Sequence, residues 1–184
     1  MYDHHATDDV SVIVTNINEL KLKKNQRQAL KGNKRSHPIA TIAGRAFTSY
    51  ARSKAAAQDG DLYAEYVAPA LKTSMFVETW RRGAGGPLES SCKANYKVYN
   101  INIMKLNFDK KSKFPDSGEW SYISDHSKWG MSDNSLTPVV CIGDVNRMES
   151  QNKRGGGTVC IKDQDIWNVW RNSIHELESC SKKG

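Results

Sequence analysis

Apolar positions recur at two different periods along this chain, and the switches between them outline its elements. Val10 to Thr15 is a short β-branched run and predicts a strand. Ile39, Ile42, Ala43, Ala46, Phe47, Tyr50 and Ala51 recur at helical spacing, with Pro38 suited to the first turn of that helix. Asp59-Gly60-Asp61 interrupts the pattern, and Asp61 is placed to cap a helix through Leu62, Tyr63, Tyr66 and Val67 that Pro69 ends or kinks. Residues 74–80 predict a strand, and 83–87 carry every local signal of a loop. From Tyr96 to Leu106 the alternation of Tyr99, Ile101 and Ile103 predicts a strand, whereas Lys110 to Glu119 is polar, holds Pro115 and Gly118, and predicts a loop. Tyr122 to Trp129 and Val139 to Gly143 predict two further strands, and Asn152 to Gly157 a turn that delivers Thr158 to Ile161 as the next. Asp163 is placed to cap a last helix with Ile166, Trp167, Trp170, Ile174 and Leu177 along one stripe. Strands interleaved with helices indicate an α/β fold in which a mixed sheet is flanked by helices.

Composition narrows this picture in two places. A chain of 184 residues supports one domain with its own core; 26% charged residues, a mean hydropathy of −0.66 and no apolar run near membrane-spanning length give no reason to expect a membrane partner. The net charge of +7 is local. Residues 21–36 hold Lys21, Lys23, Lys24, Arg27, Lys31, Lys34 and Arg35 with no acid, and the remaining 20 Lys and Arg balance the 20 Asp and Glu. Such a segment binds polyanions through counterion release, resembles a nuclear-import patch, or is simply a solvated loop, to which Gly32 and Asn33 are suited. The four cysteines, Cys92, Cys141, Cys160 and Cys180, allow three pairings or four free thiols. None has zinc-ligand spacing, so no metal and no cofactor is expected.

The chemistry concentrates in Ser124-Asp125-His126-Ser127-Lys128-Trp129, Cys141-Ile142-Gly143-Asp144-Val145-Asn146-Arg147 and Lys153-Arg154-Gly155-Gly156-Gly157-Thr158-Val159-Cys160. On a strand, His126 and Lys128 would point to one side. The imidazole can attack phosphorus or move a proton, the ammonium can hold phosphate oxygens, and Asn146 can donate a further hydrogen bond. Asp125 either orients an imidazole or is a strand-end charge, and Asp144 either supports His126 or shapes its turn. Arg154 and the Gly155 and Gly156 backbone are candidates for phosphate contact, with a glycine-requiring turn as the plain alternative. Trp167 and Trp170 fall on the apolar stripe and are expected in the core.

These three segments closely resemble the C-terminal half of deoxyribonuclease II, an acid endonuclease family of the phospholipase D-like superfamily. The resemblance extends to Asp59-Gly60-Asp61-Leu62-Tyr63, the Trp80 region, Ser91-Cys92 and the Trp167/Trp170 tail. It implies a tail at 1–9, a C-terminal deoxyribonuclease II-like domain at 10–184 with a basic insertion at 21–36, and disulfides Cys141–Cys160 and Cys92–Cys180. It also implies metal-independent cleavage of DNA through a phosphohistidine, leaving 3′-phosphate ends, with His126, Lys128 and Asn146 in the site. Such enzymes use two H-x-K motifs, but two positions after His4, His5, His37 and His175 stand Ala6, Thr7, Ile39 and Leu177. The other half-site is expected from an N-terminal half or from a second copy in a homodimer. Full-length relatives are secreted or lysosomal, whereas the first residues here hold no apolar signal segment. The alternatives are a catalytically inactive secreted DNA-binding or effector protein, and another phospholipase D-like phosphodiesterase acting on lipid or RNA.

Overall fold

Period-two alternation builds most of the molecule. The computed structural model describes residues 34–54, 57, 60–107 and 117–180. The chain divides into two units, Met1–Lys31 and Gly32–Gly184, and every described residue lies in the second. The strand expected at Val10 to Thr15 lies outside the described residues, as does the basic segment up to Asn33.

The described strands are β1 (Lys34–Ala40), β2 (Ala46–Arg52), β3 (Met75–Thr79), β4 (Val98–Asn107), β5 (Ser117–Ser121), β6 (Lys128–Ser132), β7 (Val139–Gly143), β8 (Gly156–Lys162) and β9 (Ile174–Leu177). They form one mixed sheet in the order β1-β2-β8-β7-β6-β3-β4-β5, with β9 also paired to β4. The β3–β4 pair is parallel and the other pairs are antiparallel. A π-helical turn, Tyr63–Val67, runs directly into α1 (Ala68–Leu71), and α2 is Gln164–Ser173. Among the described residues no helix is long and apolar enough to cross a membrane.

Alternation divides the core between the two faces of the sheet. Met75, Val77, Val139 and Cys141 point to one face and pack with Tyr63, Val67 and Ala68 from the helical segment. Phe76, Met131, Trp129 and Val140 point to the other and pack with Trp167 of α2. Asp61 caps the first helical segment by accepting from the Tyr63 N–H at 3.0 Å, and Asp163 caps α2 by accepting from both Asp165 and Ile166 at 3.0 Å. Trp167 belongs to the core and donates from its indole to the Ser132 carbonyl at 2.9 Å. Trp170 is partly buried, its ring edge-on to Trp129 at 4.3 Å.

Three expectations away from the His-x-Lys box are corrected. The helix expected around Ile39 to Ala51 is instead the β1–β2 hairpin. Thr41 exchanges backbone hydrogen bonds with Arg45 and Gly44, its hydroxyl accepts from the Arg45 N–H, and Gly44 supplies a φ of +78°. Ile42, part of the apparent helical stripe, stands at the tip, 102% exposed. Pro38 fits because β1 is an edge strand. The last stripe is split: Ile166, Trp167 and Trp170 are on α2, while Ile174 and Leu177 are on β9 opposite Met104 and Ile101. The Ser173 hydroxyl bonds the Trp170 carbonyl at the junction, and the exposed ladder groups of β4 take over the chain. Finally, the loop expected at 110–119 does not reach its expected end, because Ser117 already opens β5; residues 110–116 lie outside the described residues.

Both implied disulfides are present. Cys141 and Cys160 face each other across β7 and β8 with Cα atoms 3.9 Å apart, and Cys92 and Cys180 join at a Cα separation of 5.8 Å.

Candidate active site

The His-x-Lys box lies where a strand begins. Tyr122 to Ser124 form a turn, Asp125 to Ser127 have no regular structure, and β6 starts at Lys128. The strand expected from Tyr122 is therefore shortened by local bonds: Ser124 donates to the Ser121 carbonyl, and the Asp125 carboxylate accepts from the Ser127 N–H at 2.8 Å. A side chain that satisfies backbone groups two residues away competes with the ladder. Strand alternation consequently does not orient His126.

Its ring is exposed to solvent on one side and lies on Trp80 on the other, with ring centroids 4.5 Å apart and planes 27° apart. Lys128 is half-buried, and its ammonium donates to the His126 carbonyl at 2.8 Å. The second oxygen of Asp125 accepts from the Trp120 indole at 2.8 Å. Burial alone would raise the Asp125 pKa, but bonds from Ser127 and Trp120 and the nearby His126 ring hold the carboxyl below the usual range.

Asn146 reaches this strand end through β3. Thr79 is the register partner of Lys128, and its hydroxyl accepts from the Arg147 N–H at 3.0 Å. Register partners share a face with Cβ atoms about 5 Å apart. The residue after Asn146 is therefore bonded to the immediate neighbour of Lys128. Asn146 is buried and its Oδ1 has no hydrogen-bond partner. Arg147 is 1% exposed and bonds Asp61 at 2.6 Å, the Asn100 side chain, the Glu89 carbonyl and Ser91, which fixes the corner from behind.

The remaining candidates have local explanations. Asp144 accepts from the Gly157 N–H at 2.8 Å, closing the β7–β8 corner. A Cβ on Gly157 would meet the Tyr50 carbonyl oxygen at 2.3 Å, and one on Gly155 would meet the Arg52 carbonyl at 3.0 Å. Gly155 and Gly157 thus let β8 approach β2. Gly156 is paired with Arg52 in the same ladder, and Arg154 is exposed just before it. His37 and His175 are exposed on β1 and β9, away from any strand that carries the box.

Two residues on or just after β3 were not among the site candidates from the sequence. Trp80 is one. Glu78 is the other: it is 0% exposed, and neither carboxylate oxygen has a hydrogen-bond partner. Burial, reinforced by the charge of Asp125 and only partly offset by Arg81, raises its pKa to about 8. The available signal was the run Met75-Phe76-Val77-Glu78-Thr79-Trp80, an acid at an inward position of a strand buried on both faces. Among the described residues no group of three His, Cys, Asp or Glu side chains is arranged to hold a metal ion.

The family model for deoxyribonuclease II matches residues 1–180. This chain belongs to the deoxyribonuclease II family. It is similar to Deoxyribonuclease-2 of Caenorhabditis elegans, 42% identical over 132 residues, which is 72% of this chain and 32% of that protein. Cell-death-related nuclease 7 of the same organism is 32% identical over 148 residues, 79% of this chain and 36% of its own length. Deoxyribonuclease-2-alpha of Mus musculus is 31% identical over 142 residues, 77% of this chain and 37% of its own length. The chain therefore spans about a third of the curated relatives it matches. Within the deoxyribonuclease II family assignment, the His126 box and the Asn146 corner both fall inside the region covered by the family model.

Proposed function

We propose that this chain carries one phosphate-handling half-site of an acid endodeoxyribonuclease that cleaves DNA without a metal ion and leaves 3′-phosphate ends. One observation carries the reading: in a member of the deoxyribonuclease II family, the His126-x-Lys128 box stands at a strand end tied through Thr79 to the Asn146 corner. A nitrogen of one imidazole attacks phosphorus while a partner imidazole gives its proton to the departing 5′ oxygen. Water then gives a proton back to the partner imidazole as it attacks phosphorus, the P–N bond breaks, and the 3′-phosphate is released; covalent catalysis divides one hard displacement into two easier ones. His126 supplies one of these imidazoles. Lys128 and Asn146 stabilise the charge on the non-bridging oxygens, Lys128 exchanging its contact with the His126 carbonyl for the phosphate.

The second imidazole comes from an N-terminal half or from another copy of this chain, since the sequence holds one H-x-K motif. Ile142 and Val159, register partners on β7 and β8, are 55% and 40% exposed and offer apolar surface for such association. A twofold pair would repeat the same patch and bring two copies of His126 to one interface. The two disulfides suit the oxidising environment of a secreted or lysosomal protein. The same motif count favours a second reading, a DNA-binding protein without activity.

Plasmid nicking at about pH 5 in EDTA, across a range of protein concentrations, separates these readings. Activity per chain rises with concentration and disappears in His126→Ala. Nicking that persists in His126→Ala removes His126 from the mechanism, and full activity from a demonstrated monomer removes the half-site. Binding to DNA without nicking at any concentration favours the inactive reading.

A further inference from the structure

His126 lies on the irregular Asp125–Ser127 segment, so no ladder fixes its ring, yet one face of the imidazole is covered by the Trp80 indole. The centroid separation of 4.5 Å and the 27° between planes fall in the range where aromatic pairs attract beyond their buried area. Trp80 itself is well held. It follows β3, all five of whose residues are buried, and the next residue, Arg81, donates to the Ile101 carbonyl at 2.9 Å and to Asn102 at 3.1 Å, with its guanidinium 4.0 Å from the Tyr122 ring centroid. A fixed platform thus meets a ring that its own backbone leaves free.

We infer that Trp80 is the positioning residue for His126, holding the imidazole by one face so that its edge is presented to the phosphorus. The inference rests on His126 being a reacting imidazole. Trp80 lies against the imidazole, so in this role it acts through the fraction of His126 rings in the reactive orientation. A tryptophan beside a nuclease site has another use, stacking on a base of bound DNA, and the two uses differ in what they change. Positioning acts on kcat; base stacking acts on KM.

The test uses the full chain and its Trp80→Leu and Trp80→Phe variants, with the His126 ring signals assigned by their absence in His126→Ala. In proton NMR the His126 ring protons are displaced upfield by the indole ring current. The displacement persists, reduced, in Trp80→Phe and is lost in Trp80→Leu. In DNA nicking, Trp80→Leu lowers kcat by about tenfold with KM little changed, and Trp80→Phe restores most of it. Identical His126 shifts in all three proteins overturn the stack, and a raised KM at unchanged kcat overturns positioning in favour of base contact. If Trp80→Leu does not fold, the comparison of Trp80→Phe with the parent in both measurements decides. The NMR arm needs no cleavage, so a parent chain that never nicks counts against the catalytic reading of His126 and leaves the stack to be judged by its shifts.

Discussion

Glu78 shows what one buried carboxyl does to this fold. It faces Trp129 across β3 and β6, with the Asp125 carboxylate from the segment before β6, Arg81 just beyond β3, and through Arg81 the Glu178 carboxylate beyond β9. The neutral form is favoured up to about pH 8, whereas in the unfolded chain the same group ionises near 4.5. Between those values the folded state keeps a proton that the unfolded state has released, so stability falls as pH rises through the window and levels off above it. The total is on the order of 5 kcal/mol at most, and most of it is still present near pH 5, where the proposed cleavage occurs. Glu78→Gln keeps the shape and cannot ionise. Thermal unfolding followed from pH 5 to 8 should show a Tm that declines for the parent chain and stays much flatter for Glu78→Gln, with the variant the more stable at pH 8. Parallel curves would mean that Glu78 is charged in the folded protein.

Capping is where sequence and element agree most directly. Asp163 accepts from two N–H groups at the start of α2 and lies 3.5 Å from Arg45 of the β1–β2 turn. Asp163→Ala should cost about 1 kcal/mol, mostly from the cap because the Arg45 pair is exposed; denaturant unfolding would show a lower midpoint with an unchanged slope, and no loss of midpoint would contradict the cap. The elements legible in the sequence were those with a strict period and a marked end: β3, β4, β7, β8, and α2 from Asp163 onward. The β1–β2 hairpin was not, because Ile39, Phe47 and Tyr50 suit either period and Gly44, which makes the turn, sits inside the false stripe. His126 and Lys128 in the box, and Asn146 at its corner, were candidates from residue type together with the family resemblance. Their neighbours were not: Thr79 pairs with Lys128, Trp80 stacks on His126 and Glu78 lies opposite Trp129 only because β3 packs beside β6, which no local pattern announces. Asp144 was legible only as an alternative, and its bond to Gly157 gives it to the turn.

Over the whole molecule, distant segments are joined by buried polar contacts and by two bridges of different reach. Arg147 at the β7–β8 corner binds Asp61 before the first helical segment and Asn100 on β4. Asn100 donates to Glu178 at 2.8 Å, and Glu178 also accepts from the Ser90 N–H and hydroxyl at 2.7 Å and lies 4.0 Å from Arg81. Burial alone would raise the Glu178 pKa, yet these donors and Arg81 hold it below the usual range, so the segment after β9 is anchored by an ionised group. Cys92–Cys180 closes this same region over a sequence separation of 88, whereas Cys141–Cys160 spans only 19 between strands that already pair. Loop-closure entropy grows with the logarithm of the span, which gives about 4.6 kcal/mol for the long bridge and about 3.2 kcal/mol for the short one. Replacing both cysteines of a bridge by serine should therefore lower stability more for Cys92/Cys180 than for Cys141/Cys160, as long as the buried short pair tolerates serine. Its burial works against that order, since Cys141 and Cys160 are both in the core and a hydroxyl there lacks an evident partner. Paired alanine replacements remove that complication for the span term, and denaturant unfolding of the two alanine variants should place the Cys92/Cys180 loss the larger by about 1 kcal/mol. The reverse order would show that packing between β7 and β8, rather than chain entropy, governs what the bridges contribute.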